Sequence, residues 1–313
     1  MVAHPCLILL LVRLSVVAGA SIGVMAGLEE LRALMTRHAR ADWGSDLDGV
    51  MISHSDHPTP PTASMTGTVL AVMAQGRKSL ALGDRMYDYR AGQFLICSVD
   101  MPITGRFTVA SPDEPALSFG MQLEPAEIAS LLLKADLPHC TKGALPGLAV
   151  SEAPDDLLDA VVRLLRLLDQ PRDREVLLPL IKREILWRLI TSEQGPIVRQ
   201  LGLADSSLTQ VARAVRWIRD HYKESFKVQD LARTSGLSVS AFHRNFHAVT
   251  AMSPIQFQKQ IRLQEARLLL ATQPNDVTRI SYLVGYDSPS QFSREYRRQF
   301  GTTPSQDAAT LRS

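Results

Sequence analysis

The chain has 313 residues, 45% of them hydrophobic and 21% charged, and a formal net charge of +2. That length exceeds what one hydrophobic core usually organises, so two domains are expected, and the composition excludes a disordered, collagen-like or disulfide-stapled chain. The near-neutral total hides an asymmetry: residues 1–203 carry 19 basic and 23 acidic side chains, whereas residues 204–313 carry 15 and 9, which suits only the C-terminal third to a polyanionic partner.

From Cys6 to Ala26 the chain is almost wholly apolar, broken by Arg13, and Ala18-Gly19-Ala20 has the form of a signal-cleavage site. No Lys or Arg precedes the apolar run, and an Arg in its middle is costly in a membrane. The favoured reading therefore sets residues 1–24 aside as an apolar extension ahead of a translation start at Met25, with a membrane segment as the alternative. Cys6, Cys97 and Cys140 are scattered without C-x-x-C spacing, which indicates neither a zinc site nor a disulfide framework and fits a reducing compartment. Cys97 and Cys140 read as packing residues.

Leu28, Leu31, Leu34 and Met35 predict a helix over 28–40, followed by a Gly/Asp-rich break over 42–49. Residues 50–119 read as short strands: 68–73 and 79–82 as a hairpin around Gln75-Gly76-Arg77-Lys78, then 87–89, 94–99, 105–109 and 116–123 at the spacing of an antiparallel barrel or sandwich. A helix is expected from Pro125 to Leu133, then a Pro/Gly-rich stretch over 138–147. Two longer helices follow, at 155–168 and roughly 177–191. The first carries a stripe of Leu157, Leu158, Val161, Leu164, Leu165 and Leu168, which suits either core packing or pairing with a second copy of the chain. Gly195-Pro196, Gly202 and Asp205-Ser206-Ser207 mark residues 195–207 as the candidate linker. These segments divide the chain into a β domain at 25–150, a helical segment at 151–204 and an all-α domain at 205–308, an α+β chain overall.

In the last third, residues 209–222 form an amphipathic helix with Val211, Val215, Ile218 and Tyr222 on one face. A short helix over 228–235 then meets Gly236-Leu237-Ser238, where a small Ala232, a turn Gly and a capping Ser meet the needs of a tight helix-turn-helix corner. Ser238 caps a helix over 239–250 that turns Phe242, Phe246 and Val249 inward and Ser240, His243, Arg244 and His247 outward. The plan repeats. Asp276 caps 277–283, residues 285–288 turn, and Pro289 opens a helix to Phe300, with Phe292, Tyr296 and Phe300 inward and Ser290, Gln291, Arg294, Arg297 and Arg298 outward. Ser253-Pro254 begins and Gln273-Pro274 ends a connecting helix. At twenty residues it is about 30 Å long, close to the ~34 Å between successive major-groove faces of B-DNA.

The run from Val284 to Gly301, followed by Pro304, resembles the second helix-turn-helix signature of the AraC/XylS family of transcription regulators. Leu231-Ala232, Gly236-Leu237-Ser238, Phe242, Phe246, Ser253-Pro254 and Arg262-Leu263-Gln264-Glu265-Ala266-Arg267 fit that family's first unit and linker helix. Ser281 stands where the family usually has Ala, a nearly isosteric departure. The resemblance implies base-reading positions at Ser240, His243, Arg244, Ser290, Gln291 and Arg294. The chemistry agrees, since Arg bonds bidentately to guanine and Gln to adenine. His247, Arg297 and Arg298 are read as phosphate contacts. Less specifically, residues 25–133, above all 94–105, are similar in outline to the family's cupin-like N-terminal barrel. A small-molecule effector is implied there, of unassigned identity and site. The partners implied are double-stranded operator DNA, that effector, RNA polymerase should the chain activate, and a second copy as a candidate homodimer. A cytoplasmic, nucleoid-associated protein without a cofactor is expected.

An enzyme is the main rival, because cupin barrels hold catalytic metals. The candidate ligands His54, His57 and Asp56 lack the H-x-H, following Glu and distant His of such a site, so metal binding is not expected. Three scattered cysteines cannot make a zinc-bearing alkyltransferase, and residues 25–313 carry no G-x-S-x-G elbow.

Overall fold

The computed structural model describes residues 27–135, 143–204, 206–272 and 276–311. The apolar extension with Met25, the cysteines Cys6 and Cys140, and Pro274 lie outside the described residues. Among the described residues no helix is long and apolar enough to cross a membrane.

The first helix, α1 (27–38), precedes eight strands. These are β1 (Val50–Ser55), β2 (Thr62–Met65), β3 (Val69–Gln75), β4 (Arg77–Leu82), β5 (Arg85–Arg90), β6 (Gln93–Cys97), β7 (Pro102–Val109) and β8 (Ala116–Gln122). Then come α2 (Pro125–Leu132), β9 (Leu148–Glu152), α3 (Asp155–Arg166), α4 (Arg174–Thr191) and α5 (Gly195–Leu201). The strands make two antiparallel sheets, one in the order β1-β8-β3-β6-β9 and the other β2-β7-β4-β5. The α+β class holds, with antiparallel strands first and helices last. The cupin-like barrel implied by the resemblance is corrected in one respect, that it is not closed: no strand pairing joins the two sheets among the described residues.

The hairpin expected between β3 and β4 is also corrected. β3 pairs with β6 and β8, and β4 with β5 and β7, so the chain changes sheets between them. Gly76 makes that crossing with φ +83°, and a Cβ there would lie 2.5 Å from the Val109 carbonyl oxygen. Alternation along a strand reveals its two faces but not its neighbours. β9 was not foreseen. It borders the Pro/Gly-rich stretch and pairs with β6, Leu148 opposite Cys97 and Glu152 opposite Gln93.

Period-two alternation divides the apolar side chains of the five-stranded sheet between two cores. On one face Leu70, Val72, Phe94, Ile96 and Phe119 pack against Leu31, Met35, Leu157, Val161, Leu164, Ile185 and Leu189 from α1, α3 and α4. The α3 stripe is thus buried within its own chain, while Val176 and Leu180 on α4 remain 66% and 59% exposed. The candidate linker is largely helical: Ile197 and Val198 of α5 are buried in this first core, leaving only a short connection before the next helix.

On the other face Met73, Leu95 and Cys97 meet Leu80, Leu82, Tyr89 and Phe107 of the four-stranded sheet. This second core continues without a break into Val211, Val215, Ile218, Phe242, Phe246 and Phe257 of the C-terminal helices. Polar ties reinforce it: the Gly147 amide donates to the Val249 carbonyl at 2.9 Å, Gln264 Nε2 donates to the Ile103 carbonyl at 3.4 Å, and Arg219 pairs with Asp100. The β domain and the first helix-turn-helix unit therefore share one apolar interior.

Cys97 lies in this core, where burial pushes its thiol up to about 11 against the opposing hydrogen bonds from Thr66 and the Val99 backbone. A thiol reactive only as thiolate should stay unmodified there at neutral pH. Mass-spectrometric mapping after alkylation is expected to find Cys97 labelled only once the protein is unfolded. Labelling in the native state would show that this core opens.

Candidate nucleic-acid interface

The C-terminal helices are α6 (Ser207–Asp220), α7 (Val228–Thr234), α8 (Val239–Thr250), α9 (Pro254–Thr272), α10 (Val277–Leu283), α11 (Pro289–Phe300) and α12 (Pro304–Thr310). The two candidate reading helices, α8 and α11, start where the capping residues dictate. Ser238 Oγ accepts from the Ala241 amide and Ser288 Oγ from the Gln291 amide, each at 3.3 Å, satisfying one of the donors a helix N-terminus leaves unpaired. Asp276 does the same for α10, accepting from the Arg279 amide at 2.8 Å. Ser281, in place of the usual Ala, is fully buried and returns its hydroxyl to the Thr278 carbonyl at 2.7 Å.

Aromatic side chains at four-residue spacing orient each helix. Phe242 and Phe246 of α8 are fully buried, and Phe246 meets Phe257 of α9 edge-on with ring centroids 5.5 Å apart. Phe292 and Tyr296 play the same part in α11. Each such ring contributes about 1.5–3 kcal/mol of burial, ample to hold a helix rotated one way. Rotated so, α8 exposes Ser240, His243, Arg244 and His247, and α11 exposes Ser290, Arg294, Arg297 and Arg298. Gln291 is only half-exposed, its amide Nε2 donating to Glu295 Oε1 at 3.1 Å.

The 19-residue α9 fixes the two units to each other, with a length of about 28 Å at 1.5 Å per residue. Arg262 Nε donates to the Tyr222 carbonyl at 2.6 Å and its Nη2 to the carbonyls of Lys223 and Glu224 at 3.1 Å. Gln258 Nε2 bonds the carbonyls of Tyr222 and Glu224 from the preceding turn. The second unit closes on the same loop. Gly285 adopts φ +90°, and a Cβ there would lie 2.4 Å from the Lys223 carbonyl oxygen. Further along, Arg267 and the Tyr296 hydroxyl both bond Asp307 of α12, a helix the sequence reading did not identify.

Charge is allotted unevenly. Arg262 and Arg267 are committed to internal hydrogen bonds, whereas Arg244, Arg294, Arg297 and Arg298 enter no salt bridge among the described residues. His247 of α8 and Arg298 of α11 line a common groove of about 430 Å³, along with Gln256 and Lys259 of α9 and Asp84 of the β4–β5 turn. The outward sides of the two units thus adjoin.

Sequence reasoning missed a buried cluster behind α11. Glu295 accepts from Lys259 Nζ at 2.8 Å, from the Tyr286 hydroxyl at 2.9 Å and from Gln291. Burial alone would raise its carboxyl, but the hydrogen bonds from Lys259, Gln291 and Tyr286 outweigh burial and leave it below the ordinary carboxylate range. The available signal was a lone acid amid Arg294, Arg297 and Arg298, four residues from Gln291. Of the rival metal ligands, His54 Nε2 lies 3.3 Å from Asp56, and no cluster of three or more His, Cys, Asp or Glu forms among the described residues.

Residues 46–197 match a family described as AraC-type transcriptional regulator N-terminus, and residues 231–309 match a helix-turn-helix domain family. The chain is 29% identical over 173 residues to the HTH-type transcriptional regulator ExsA of Pseudomonas aeruginosa, covering 55% of this chain and 61% of ExsA. It is 28% identical over 149 residues to the HTH-type transcriptional activator RhaS of Escherichia fergusonii, covering 47% of this chain and 52% of RhaS. The chain thus spans about half to three-fifths of the length of these curated relatives. In fold it is similar to ToxT from Vibrio cholerae, solved with a bound unsaturated fatty acid, at a TM-score of 0.51 and 10% identity over 85% of this chain and 96% of ToxT.

Proposed function

We propose that this chain, which belongs to the AraC/XylS family of transcriptional regulators, reads operator DNA by setting α8 and α11 into successive major-groove segments on one face of the duplex. The observation that carries this reading is the pairing of two capped helices, each with exposed and uncommitted arginine, on units that α9 and the Gly285–Lys223 contact hold together. Ser240, His243, Arg244, Ser290, Gln291 and Arg294 are the base-reading residues, and His247, Arg297 and Arg298 hold phosphates.

The N-terminal domain, residues 25–150, is the sensor for a small effector, and the helical segment 151–204 links it to the DNA-binding domain at 205–308. ToxT, of similar fold, has been solved with a fatty acid bound, which supports a small ligand here without naming it. The effector shifts an existing equilibrium between DNA-engaging and idle arrangements, and the core shared by the β sheets and the first unit is the path by which it does so. The relatives are regulators, which favours a non-enzymatic role in the cytoplasm. RNA polymerase is a partner if the chain activates, and the exposed Val176 and Leu180 of α4 offer a surface to a second copy.

Binding to duplex DNA measured against salt tests the assignment. The affinity is expected to fall linearly on logarithmic axes, and Arg298→Ala is expected to reduce the slope by about 0.9, the value for one lost phosphate contact, while weakening all duplexes alike. An unchanged slope would remove Arg298 from the interface.

A further inference from the structure

The two ends of a glutamine side-chain amide have the same shape and differ only in that one donates and the other accepts, so a neighbour must decide which end faces outward. For Gln291 that neighbour is Glu295, one helical turn on, at 3.1 Å from Nε2. Glu295 has no proton to offer. Both of its oxygens already accept, Oε1 from Lys259 and Oε2 from the Tyr286 hydroxyl. An amide turned the other way would set its carbonyl oxygen against an ionised carboxylate in a nearly closed site, Glu295 being 8% exposed. Lys259 belongs to α9, so the arrangement is anchored from outside α11 and does not depend on that helix alone.

We propose that Glu295 is a positioning residue that locks the Gln291 amide with its NH2 group inward and presents the carbonyl oxygen to the major groove as an acceptor. This rests on the reading of α11 as a recognition helix. It fixes the polarity of the contact expected of glutamine: the carbonyl oxygen accepts from an exocyclic amine, adenine N6 or cytosine N4, with the second N–H of the amide left beside it, so a base edge that offers only acceptors there, the O6 of guanine or the O4 of thymine, is a poorer match. Specificity at one base pair is then written in a buried carboxylate that touches no DNA.

The test uses the full-length protein and duplexes selected from a randomised pool. The position whose preference disappears in Gln291→Ala is located first. There, an amine is deleted by placing purine for adenine or 2-pyrimidinone for cytosine, and wild type is compared with Gln291→Ala in a double-mutant cycle. Wild type is expected to lose about three- to tenfold more than Gln291→Ala on losing the amine, the worth of one neutral hydrogen bond, and nothing Gln291-dependent on losing a base carbonyl. Glu295→Gln keeps the shape but lets the amide turn, and its coupling to the amine is expected to fall below about twofold, with preferences at other positions intact. Tyr286→Phe loosens the same cluster without touching the Gln291 contact and is expected to keep the coupling.

Coupling of Gln291 to a base carbonyl in the wild type would overturn the proposal. So would wild-type coupling in Glu295→Gln, or equal loss in Tyr286→Phe and Glu295→Gln, which would make the cluster merely structural. If Gln291→Ala changes no position at all, the base-reading assignment itself fails, an outcome distinct from a misjudged orientation.

Discussion

Replacing Arg294 by alanine is expected to weaken binding to the selected operator by about 1–3 kcal/mol and to relax preference at one base position. Arg294 is exposed on α11, forms no salt bridge among the described residues, and lies on the side opposite Phe292 and Tyr296. Its removal should leave the unfolding free energy within about 0.5 kcal/mol of wild type, the usual range for surface positions without a special role. Affinity for non-operator duplex should change far less than affinity for the operator, which separates this residue from Arg298. A variant that binds its operator as wild type does would show that the guanidinium reads nothing.

Gly285→Ala is expected to act in the opposite way, through the fold. The left-handed backbone at φ +90° disfavours any Cβ, and a methyl group here meets the Lys223 backbone besides. Together these should cost about 2–4 kcal/mol in denaturant unfolding. Relief by moving the α10–α11 turn away would disturb the loop whose carbonyls Arg262 and Gln258 hold, so operator binding should fall as well. Unchanged stability would mean that the two units do not close on each other as tightly as this contact implies.

These two positions differ in how openly the sequence displayed them. The outward placement of Arg294 was legible because its cues are local: Pro289 starts the helix, and Phe292, Tyr296 and Phe300 set its rotation at a spacing of four. Gly285 was legible as a turn, but its closeness to Lys223 was not, because that contact joins residues 62 apart in the chain. The same limit governs the β domain. Strands β3 and β4 were visible as strands, yet their assignment to different sheets depends on β7 and β8, which arrive later. β9 is a short strand beside a Pro/Gly-rich stretch and has little pattern of its own. Glu295 received no reading of its own, since Lys259 lies 36 residues upstream and only the packing of α9 on α11 brings the two together.

The shared core has a bearing on regulation. A sensor joined to its DNA-binding unit by a loose tether could act only by changing local concentration, whereas here Met73, Leu80 and Phe107 belong to the same apolar cluster as Phe242 and Phe246 of α8. Cores of this kind are densely packed and transmit strain rather than absorbing it. On the proposed sensor role, a ligand that changed the spacing of the two sheets would therefore be felt at the base of α8.

Methylation interference at guanine N7, which lies in the major groove, tests most directly whether one chain places two helices on one face of DNA. With the full-length protein on its selected operator, interference is expected in two segments centred about 10–10.5 base pairs apart on the same face for each bound chain. Confinement to a single segment per chain, with none a helical turn away, would contradict the account.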